Sequence, residues 1–410
     1  MSFDFRALAE GRLHEPVAVA EIGTAHGGDL QRGLDLIDAA ADAGAHVAKV
    51  QVVFAEEILP PEAGLVPLPG GPTPLYEVFR ALERPAGFYA ALAERAEKRG
   101  IGFLASPFGE KSVRLLEDIG VEAWKVASPE LNHEPLLERL AATGLPLILS
   151  TGVSLPEDID RALEVITGAC RPAESVGRPS PGGPGHTSQA SGNPPSGFAP
   201  SAEPPVVLLH CLTSYPAPED QANLRAVPAL AAAYGVPAGL SDHSRDPVLL
   251  PSLAVALGAV LVEKHITLDR SAGGLDDPVA LTPGDFARMT VAMERFAGRA
   301  LPAAVDDLAG GFGRERVESC LGGGAKTLAP AEAANYGRTN RSLHAVGALA
   351  AGTVLTEENT ALLRTEKVLR PGIPPHSRRE AYGKRLVRPV APGDGITWED
   401  IGAAKEGGAG

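Results

Sequence analysis

The stretch that decides the fold is residues 17–53, which read VAVAEIGTAHGGDLQRGLDLIDAAADAGAHVAKVQVV. It begins with a short apolar run, Val17 to Gly23, and continues with an amphipathic, Ala- and Leu-rich stretch, Leu30 to Ala43. A second apolar run follows, from His46 to Val53. Short β-branched runs predict strands, and a helix between two of them is typical of parallel pairing. The stretch therefore predicts a strand–helix–strand unit.

The same alternation continues to about residue 300. The eight candidate strands are Val17–Gly23, His46–Val53, Gly102–Pro107, Ala123–Ser128, Pro146–Gly152, Val206–Ser214, Pro237–Ser244 and Val260–Leu268. The helical patterns between them include Leu30–Ala43, Gly87–Arg99, Lys111–Ile119, Pro135–Ala142, Asn223–Ala233 and Pro283–Phe296. Eight such units predict an α/β fold, the (β/α)8 TIM barrel, whose active site lies where the strands end.

One segment interrupts the alternation. Residues 171–205 are dominated by Pro, Gly and Ser and show no apolar periodicity, which predicts a disordered insertion. The segment lies between the fifth helix and the sixth strand, on the entry side of that strand. A barrel tolerates an insertion there because this end is away from the chemistry.

The C-terminal part differs in character from the barrel. A Gly-rich stretch, Ala309 to Gly324, precedes a module of short strands and turns, whose clearest pieces are Leu343–Val346, Gly352–Leu355 and Ile396–Trp398. The expected domains are a barrel over residues 1–305, a linker over 306–337 and a small β-rich module over 338–404.

Composition and charge exclude several classes of partner. Lys and Arg total 37 against 51 Asp and Glu, and the net charge of -14 opposes binding to nucleic acid or to an anionic membrane. No apolar run is long enough for a membrane helix, and residues 1–6 lack the pattern of a signal peptide. Cys170, Cys211 and Cys320 show no metal-binding spacing. We therefore expect a soluble, cytoplasmic protein.

Polar side chains cluster at the predicted carboxyl ends of the first five strands. They are Glu21, Lys49, Gln51, Ser106, Lys125, Ser128, Glu130 and Ser150. Two lysines and several hydroxyls at one barrel mouth can hold a phosphate and a carboxylate. A buried charge is costly unless it meets a partner or a ligand. The alternative interpretation is therefore that Lys49 and Lys125 are internal ion-pair partners of Glu21 and Glu130.

Two histidines end neighbouring strands. Strand seven ends in Ser241-Asp242-His243 and strand eight in Glu263-Lys264-His265. Paired imidazoles suit Mn, Fe, Co or Zn, and Asp242 and Glu263 could orient them or share the ion. A lone histidine at a strand end is more often a satisfied core residue, and spacing alone leaves both interpretations open.

Taken together, these motifs resemble the sialic acid synthases, which include N-acetylneuraminate synthase and its legionaminate, pseudaminate and spore-coat polysaccharide relatives. The resemblance covers nearly the whole chain. It rests on Ala20-Glu21-Ile22-Gly23, Lys49-Val50-Gln51, Phe103 to Phe108, Trp124 to Ser128, Leu149 to Gly152, Leu209-His210-Cys211, Tyr215-Pro216, Leu240 to His243, Ala256 to Ala259 and Glu263-Lys264-His265. The segments Asn340 to Leu343, Leu369 to Gly372 and Tyr382-Gly383-Lys384 resemble the antifreeze-protein-like (SAF) domain that ends these synthases.

The resemblance implies a reaction. Phosphoenolpyruvate condenses with an open-chain N-acylated amino sugar, similar to N-acetylmannosamine, to give a sialic-acid-type nonulosonate and phosphate. It implies that His243 and His265 bind a divalent ion, usually Mn²⁺, with Mg²⁺ or Co²⁺ as alternatives. The residues implied around phosphoenolpyruvate are Lys49, Ser106, Lys125, Ser128, Ser150 and Ser241. Those implied on the sugar side are Glu21, Gln51, Tyr215 and Asp276, with Glu21, Glu130 and Glu263 as the catalytic carboxylates.

The resemblance also implies a domain-swapped homodimer, in which the C-terminal module caps the partner's barrel and Arg341 reaches the partner's sugar site. The chain departs from the family near the sugar. The usual Asn-His-Asn-Gly is Ala25-His26-Gly27-Gly28, the Phe expected after the last metal histidine is Ile266, and the frequent Gly-Pro-Asp is Gly274-Leu275-Asp276. These changes leave the identity of the amino sugar open.

Two other functions remain open at this stage. A barrel aldolase or lyase acting on a pyruvate-derived substrate would also use a lysine, carboxylates and a metal. A binding protein without turnover is the other alternative, because the altered sugar loop could have abolished catalysis.

Overall fold

A computed structural model describes residues 3–68, 71–169 and 203–402. Its strands are β1 (Val17–Gly23), β2 (Val47–Gln51), β3 (Leu65–Leu68), β4 (Gly71–Pro74), β5 (Gly102–Ser106), β6 (Trp124–Val126), β7 (Leu147–Ser150), β8 (Val206–Cys211), β9 (Ala238–Asp242), β10 (Leu261–His265), β11 (Arg341–Ala345) and β12 (Thr360–Arg364). Its helices are α1 (Phe5–Ala9), α2 (Leu30–Asp42), α3 (Ala55–Ile58), α4 (Leu75–Leu82), α5 (Ala86–Arg99), α6 (Glu110–Asp118), α7 (Glu134–Ala141), α8 (Pro156–Ala169), α9 (Ala226–Tyr234), α10 (Leu249–Ala256), α11 (Pro283–Phe296), α12 (Leu301–Phe312), α13 (Arg314–Ser319), α14 (Pro330–Ala333) and α15 (Arg378–Ala381).

Eight of the strands form a closed barrel with the neighbour order β1-β10-β9-β8-β7-β6-β5-β2. The last barrel strand returns to the first, with Val17 opposite Leu261 in a parallel ladder. All eight are the strands predicted from the sequence, so the TIM-barrel prediction is confirmed.

The two ends of the barrel differ in chemistry. Val17 and Val47, near the starts of their strands, share a buried apolar cluster with Phe5 and Leu8 of α1. The N-terminal helix therefore covers the end where the strands begin. Buried polar and charged side chains lie at the other end of the barrel, where the strands finish. Barrel enzymes carry their active sites at this carboxyl end.

An excursion that the sequence did not predict follows β2. Helices α3 and α4 and the β3–β4 hairpin stand between β2 and α5. Their apolar cluster includes Ile58, Phe79 and Phe108, with Leu369 of the C-terminal module packed against it. The excursion thus forms part of the surface on which the module rests.

The barrel core extends further along the chain than its predicted domain boundary. Helices α12 and α13 place Val305, Leu308 and Val317 in the main core cluster, and Leu321 follows just after α13. The first half of the expected linker, residues 306–337, is therefore helical and packed against the barrel. Most of the expected insertion, residues 171–205, lies outside the described residues.

The C-terminal module has its own core, which contains Leu343, Leu355, Ile373 and Ile396. Strand β11 pairs antiparallel with β12. Strand β12 was not predicted, and the predicted pieces near Val354 and Gly395 form isolated bridges instead of strands. Within the ranges that the structure describes, every helix is too short or too polar to cross a membrane.

Candidate active site at the carboxyl ends of the barrel strands

Strand register gathers the polar side chains at one level of the barrel. Glu21 of β1 lies opposite Lys49 of β2 on one side and opposite His265 of β10 on the other. Glu263 lies opposite Ser241 of β9. Hydrogen bonding between neighbouring strands therefore brings together residues that are far apart in sequence.

Lys49 is the centre of a buried ionic network. Its Nζ lies 3.0 Å from Glu263 Oε1 and 3.3 Å from Glu21 Oε2. Gln51 Nε2 donates to Glu21 Oε1 at 2.8 Å, and Ser241 Oγ donates to Glu263 Oε1 at 3.0 Å. Burial lowers the pKa of Lys49, but the two carboxylates outweigh burial and raise it above its ordinary value. Lys49 is thus a permanent cation, and its pairing with Glu21 matches the alternative interpretation of the sequence.

Lys125 is less fully paired. Its Nζ donates to Ser150 Oγ at 2.6 Å and to the Val126 carbonyl at 3.0 Å, and it lies 3.9 Å from Glu263 Oε1. Burial lowers the pKa of Lys125 to about 8, and the opposing charge of Glu263 does not restore it. The alternative pairing of Lys125 with Glu130 is wrong, because both oxygens of Glu130 bind arginines. An anion entering the site would therefore stabilise the Lys125 ammonium.

Hydroxyl groups complete this side of the site. Ser106 is buried, and its Oγ has no hydrogen-bond partner among the described residues. Ser128 Oγ accepts the Gly152 N–H at 3.0 Å. A Cβ on Gly152 would lie 2.2 Å from Thr213 Oγ1 and 2.8 Å from Ser128 Oγ, so only glycine fits there. The free Ser106 hydroxyl is well suited to receive a ligand oxygen.

The rings of the two strand-end histidines lie near one another. The ring centroids of His243 and His265 are 5.6 Å apart, and the Tyr215 ring lies 4.1 Å from the first and 6.1 Å from the second. Asp276 Oδ2 lies 4.0 Å from His265 Nδ1. The Leu212 carbonyl, which can only accept, lies 2.9 Å from His243 Nδ1. That nitrogen therefore donates to the carbonyl, and Nε2 is the ring nitrogen left to face a ligand.

The carboxylates beside the histidines do not turn towards them. Asp242 Oδ2 and Lys264 Nζ form a buried ion pair at 2.5 Å, and Asp242 Oδ1 accepts the Ser244 N–H at 2.7 Å. Successive side chains of a strand point to opposite faces, so Asp242 and Lys264 lie away from the histidines that follow them. The expectation that Asp242 shares a metal does not fit this geometry, and Glu263 is committed to Lys49 and Ser241.

Glu130 is held by the C-terminal module. Arg341 Nη2 donates to Glu130 Oε1 at 2.9 Å, and Arg364 Nη2 donates to both carboxylate oxygens at 2.8 Å. The two arginines lie directly opposite each other in the β11–β12 ladder. The Glu130 side chain is fully buried. A carboxylate held this way is a docking group, and its implied role as a catalytic carboxylate does not fit.

Arg341 lies against the barrel, but its donors are already used. Besides Glu130, its guanidinium donates to the carbonyls of Glu57, Phe108 and Leu362. The five N–H groups of an arginine are thereby occupied, which leaves none for a sugar. In this structure Arg341 contacts the barrel of its own chain. The exchange of modules between subunits stays a prediction.

Two residues at this interface were missed by the sequence analysis. Arg364 lies on the unpredicted strand β12, and Glu332 lies in the expected linker. The short apolar run over residues 361–363 is a weak local signal for the strand. No local signal marks the buried Glu332, because its partners belong to distant loops.

A closed parallel barrel whose mouth carries buried lysines, carboxylates and paired histidines, with a small module fastened over it, defines a two-domain barrel enzyme. Residues 36–300 match the NeuB family and residues 340–402 match the SAF domain. The chain belongs to the NeuB family, and its enzyme class is that of the phosphoenolpyruvate-dependent, carbon–carbon bond-forming transferases.

Relatives span almost the same length. A spore coat polysaccharide biosynthesis protein of Bacillus subtilis is 30% identical over 93% of this chain and 92% of its own. An N,N'-diacetyllegionaminic acid synthase of Legionella pneumophila is 28% identical over 94% of each chain. The crystal structure of the Bacillus subtilis protein superposes with a TM-score of 0.72 at 28% identity, covering 94% of this chain and 95% of that one.

Proposed function

We propose that this chain condenses phosphoenolpyruvate with the aldehyde form of an N-acylated amino sugar, giving a nonulosonate and inorganic phosphate. The observation that carries the proposal is the incompletely paired, buried Lys125 beside the free hydroxyl of Ser106 and the permanent cation of Lys49. These groups match an anion with a phosphate and a carboxylate. The name of the Legionella pneumophila relative, an acid synthase, supports the same reaction.

The chain's residues divide the work of that reaction. C3 of phosphoenolpyruvate forms a bond with the aldehyde carbon, and the aldehyde oxygen takes a proton. Water then adds at C2, the bond from C2 to the bridging oxygen breaks, and phosphate leaves with that oxygen. The charges of Lys49 and Lys125 stabilise the departing phosphate. Oε2 of Glu263 has no hydrogen-bond partner among the described residues and can accept the proton of the water, whereas Oε2 of Glu21 lies 3.3 Å from Lys49 Nζ.

A divalent ion, Mn²⁺ in our proposal, would be held by His243 and His265. The donor set fits, because both rings are buried side by side and the Leu212 carbonyl occupies only Nδ1 of His243, which leaves Nε2 to face an ion. Among the described residues, no three His, Cys, Asp or Glu side chains converge on one point. The other ligands would therefore be water or substrate oxygens. When bound, the ion supplies Lewis-acid polarisation of the aldehyde.

We also propose a cytoplasmic enzyme that works as a domain-swapped dimer. Cys211 and Cys320 are buried free thiols, as is usual in a reducing compartment. A small module gains stability by docking on a larger surface, and its buried Arg341 and partly buried Arg364 supply the contacts that a partner's barrel would receive.

The test is turnover with defined substrates. The chain is mixed with phosphoenolpyruvate, Mn²⁺ and a series of acetamido sugars, and phosphate release and product mass are measured. We expect phosphate release with at least one acetamidohexose, loss of activity in Lys125→Ala, and unchanged activity in Lys98→Ala, which removes an exposed lysine. Phosphate release with none of the sugars would overturn the proposal. Trapping of pyruvate on the chain by borohydride would instead indicate the aldolase alternative.

A further inference from the structure

The segment that joins the barrel to the C-terminal module is bonded to two loops at the barrel mouth. We call residues 329–340 the connector. Glu332 Oε2 accepts the N–H of Val153 at 3.0 Å and the N–H of Thr213 at 2.9 Å. Asn340 Nδ2 donates to the Val153 carbonyl at 3.1 Å, and Asn335 Nδ2 donates to the Thr213 carbonyl at 2.9 Å. The connector thus forms hydrogen bonds with the N–H and the carbonyl of both Val153 and Thr213.

Glu332 is unusual for a residue between domains. It is 1% exposed, and its other oxygen accepts the Ala329 N–H at 3.3 Å. A buried carboxylate is costly unless hydrogen bonds satisfy it, and here three backbone N–H groups do so. The carboxylate is therefore part of the packed structure and not a solvated group.

Both anchored residues lie next to the predicted substrate contacts. Val153 follows Gly152, whose N–H binds Ser128, and lies three positions after Ser150, which binds Lys125. Val153 also has a φ of 43°, which is rare for a β-branched residue and persists only when its surroundings hold it. The connector supplies that restraint through Glu332 and Asn340.

Thr213 lies on the other side of the site. It follows Leu212, whose carbonyl accepts from His243 Nδ1, and lies two positions before Tyr215, whose ring packs on His243. A shift of Thr213 would therefore move the group that orients the imidazole. One carboxylate oxygen of Glu332 joins the loop beside the lysine pocket to the loop beside the histidines.

We propose that Glu332 is a positioning residue of the reaction, which makes the geometry of the phosphoenolpyruvate pocket depend on the seating of the C-terminal module. The connector continues directly into β11, whose first residue, Arg341, is fastened to Glu130. The segment that positions Val153 and Thr213 is thus continuous with the strand that docks the module. This inference rests on the proposed function, because it concerns the same site.

The test compares Glu332→Ala, Glu332→Gln and the control Glu315→Ala, which removes an exposed glutamate from the preceding helix. Misplacement of reacting groups by a fraction of an ångström lowers kcat/KM strongly, and we expect a loss of about 10- to 100-fold in Glu332→Ala. The loss should fall mainly on the KM for phosphoenolpyruvate. Glu332→Gln, which keeps one acceptor oxygen, should recover part of it, and the control should match the unmodified chain.

Hydrogen exchange provides a readout that does not depend on turnover. We expect faster exchange in the peptides that contain Val153 and Thr213 in Glu332→Ala. If exchange or the kinetic constants of a folded Glu332→Ala equal those of the unmodified chain, the inference is wrong. Should that variant fail to fold, Asn335→Ala and Asn340→Ala take its place, with a several-fold rise in KM expected and an unchanged KM overturning the inference. An unmodified chain that consumes no phosphoenolpyruvate refutes the proposed function, and exchange alone then decides whether Glu332 anchors the loops.

Discussion

Arg341 and Glu130 form an ion pair of 2.9 Å in which neither side chain is exposed to solvent. The pair joins two parts of the chain that are separated by 211 positions, the turn after β6 and the first residue of β11. Arg364 doubles the contact from the opposite strand. Glu130 therefore ties both strands of the C-terminal module's ladder to the barrel.

Replacing Glu130 by Gln should loosen the module, because the buried Arg341 guanidinium would lose its counter-charge and Arg364 would keep Glu366 alone as an ionic partner. Removal of one partner of a buried ion pair costs about 3–5 kcal/mol of unfolding free energy. We expect that loss in denaturant unfolding, together with faster proteolysis between the barrel and the module. The control Glu318→Gln removes the partner of an exposed arginine and should change stability by less than about 1 kcal/mol. Equal stability of the two variants would contradict a docking role for Glu130.

The paired histidines should govern metal content as well as turnover. We expect His243→Ala and His265→Ala each to lose bound Mn²⁺, measured by atomic emission after dialysis, and to lose chelator-sensitive activity. His14→Ala, which removes an exposed histidine, should keep both. Full activity and metal content in the first two variants would remove the metal from the proposal.

Lys125 should set the alkaline limit of activity. Its pKa is lowered to about 8 by burial, so the ammonium that binds the substrate anion is lost above that pH. We expect kcat/KM for phosphoenolpyruvate to fall by about tenfold per pH unit above pH 8. Lys125→Arg, whose charge persists, should show a lower but flat profile over the same range. A flat profile to pH 9.5 in the unmodified chain would contradict the assignment.

The lowered pKa of Lys125 should make activity fall above pH 8, but it should make stability rise with pH. Between the lowered pKa of Lys125, about 8, and its ordinary value of 10.5, the unfolded chain binds more protons than the folded chain. This group therefore makes the free energy of unfolding rise with pH in that window. Chemical unfolding of the unmodified chain and of Lys125→Met at pH 8 and pH 10 would measure the difference, which should be smaller in the variant.

Exchange of modules between subunits is tested by complementation. An inactive Arg341→Ala chain is mixed with an inactive His243→Ala chain under conditions of subunit exchange. After exchange, half of the dimers are mixed. If each C-terminal module acts on the partner's barrel, every mixed dimer has one intact site of its two, so about one quarter of normal activity should return. If each C-terminal module acts on its own barrel, no mixed dimer has an intact site. Exchange demonstrated by mass without any activity would therefore refute the swapped arrangement.

Sequence patterns anticipated the barrel well because its strands depend on local burial. The run from Val17 to Gly23 was predicted with its observed bounds, and Pro283–Phe296 likewise, since apolar spacing over one element fixes both type and length. The C-terminal module was anticipated less well. Strand β12 carries Thr360, Arg364 and little apolar alternation, and its formation depends on pairing with β11.

For the site, the sequence by itself determined which residue types end the barrel strands, and with them the histidine pair, the two lysines and the surrounding hydroxyls. Only the tertiary structure decided which charge meets which. Lys49 joins Glu21 and Glu263, Asp242 turns to Lys264, and Glu130 binds arginines from the other domain. The physical reason is that burial and periodicity act between near neighbours in sequence, whereas an ion pair depends on the position of two side chains in space. Register and domain docking fix those positions, and no local pattern records them.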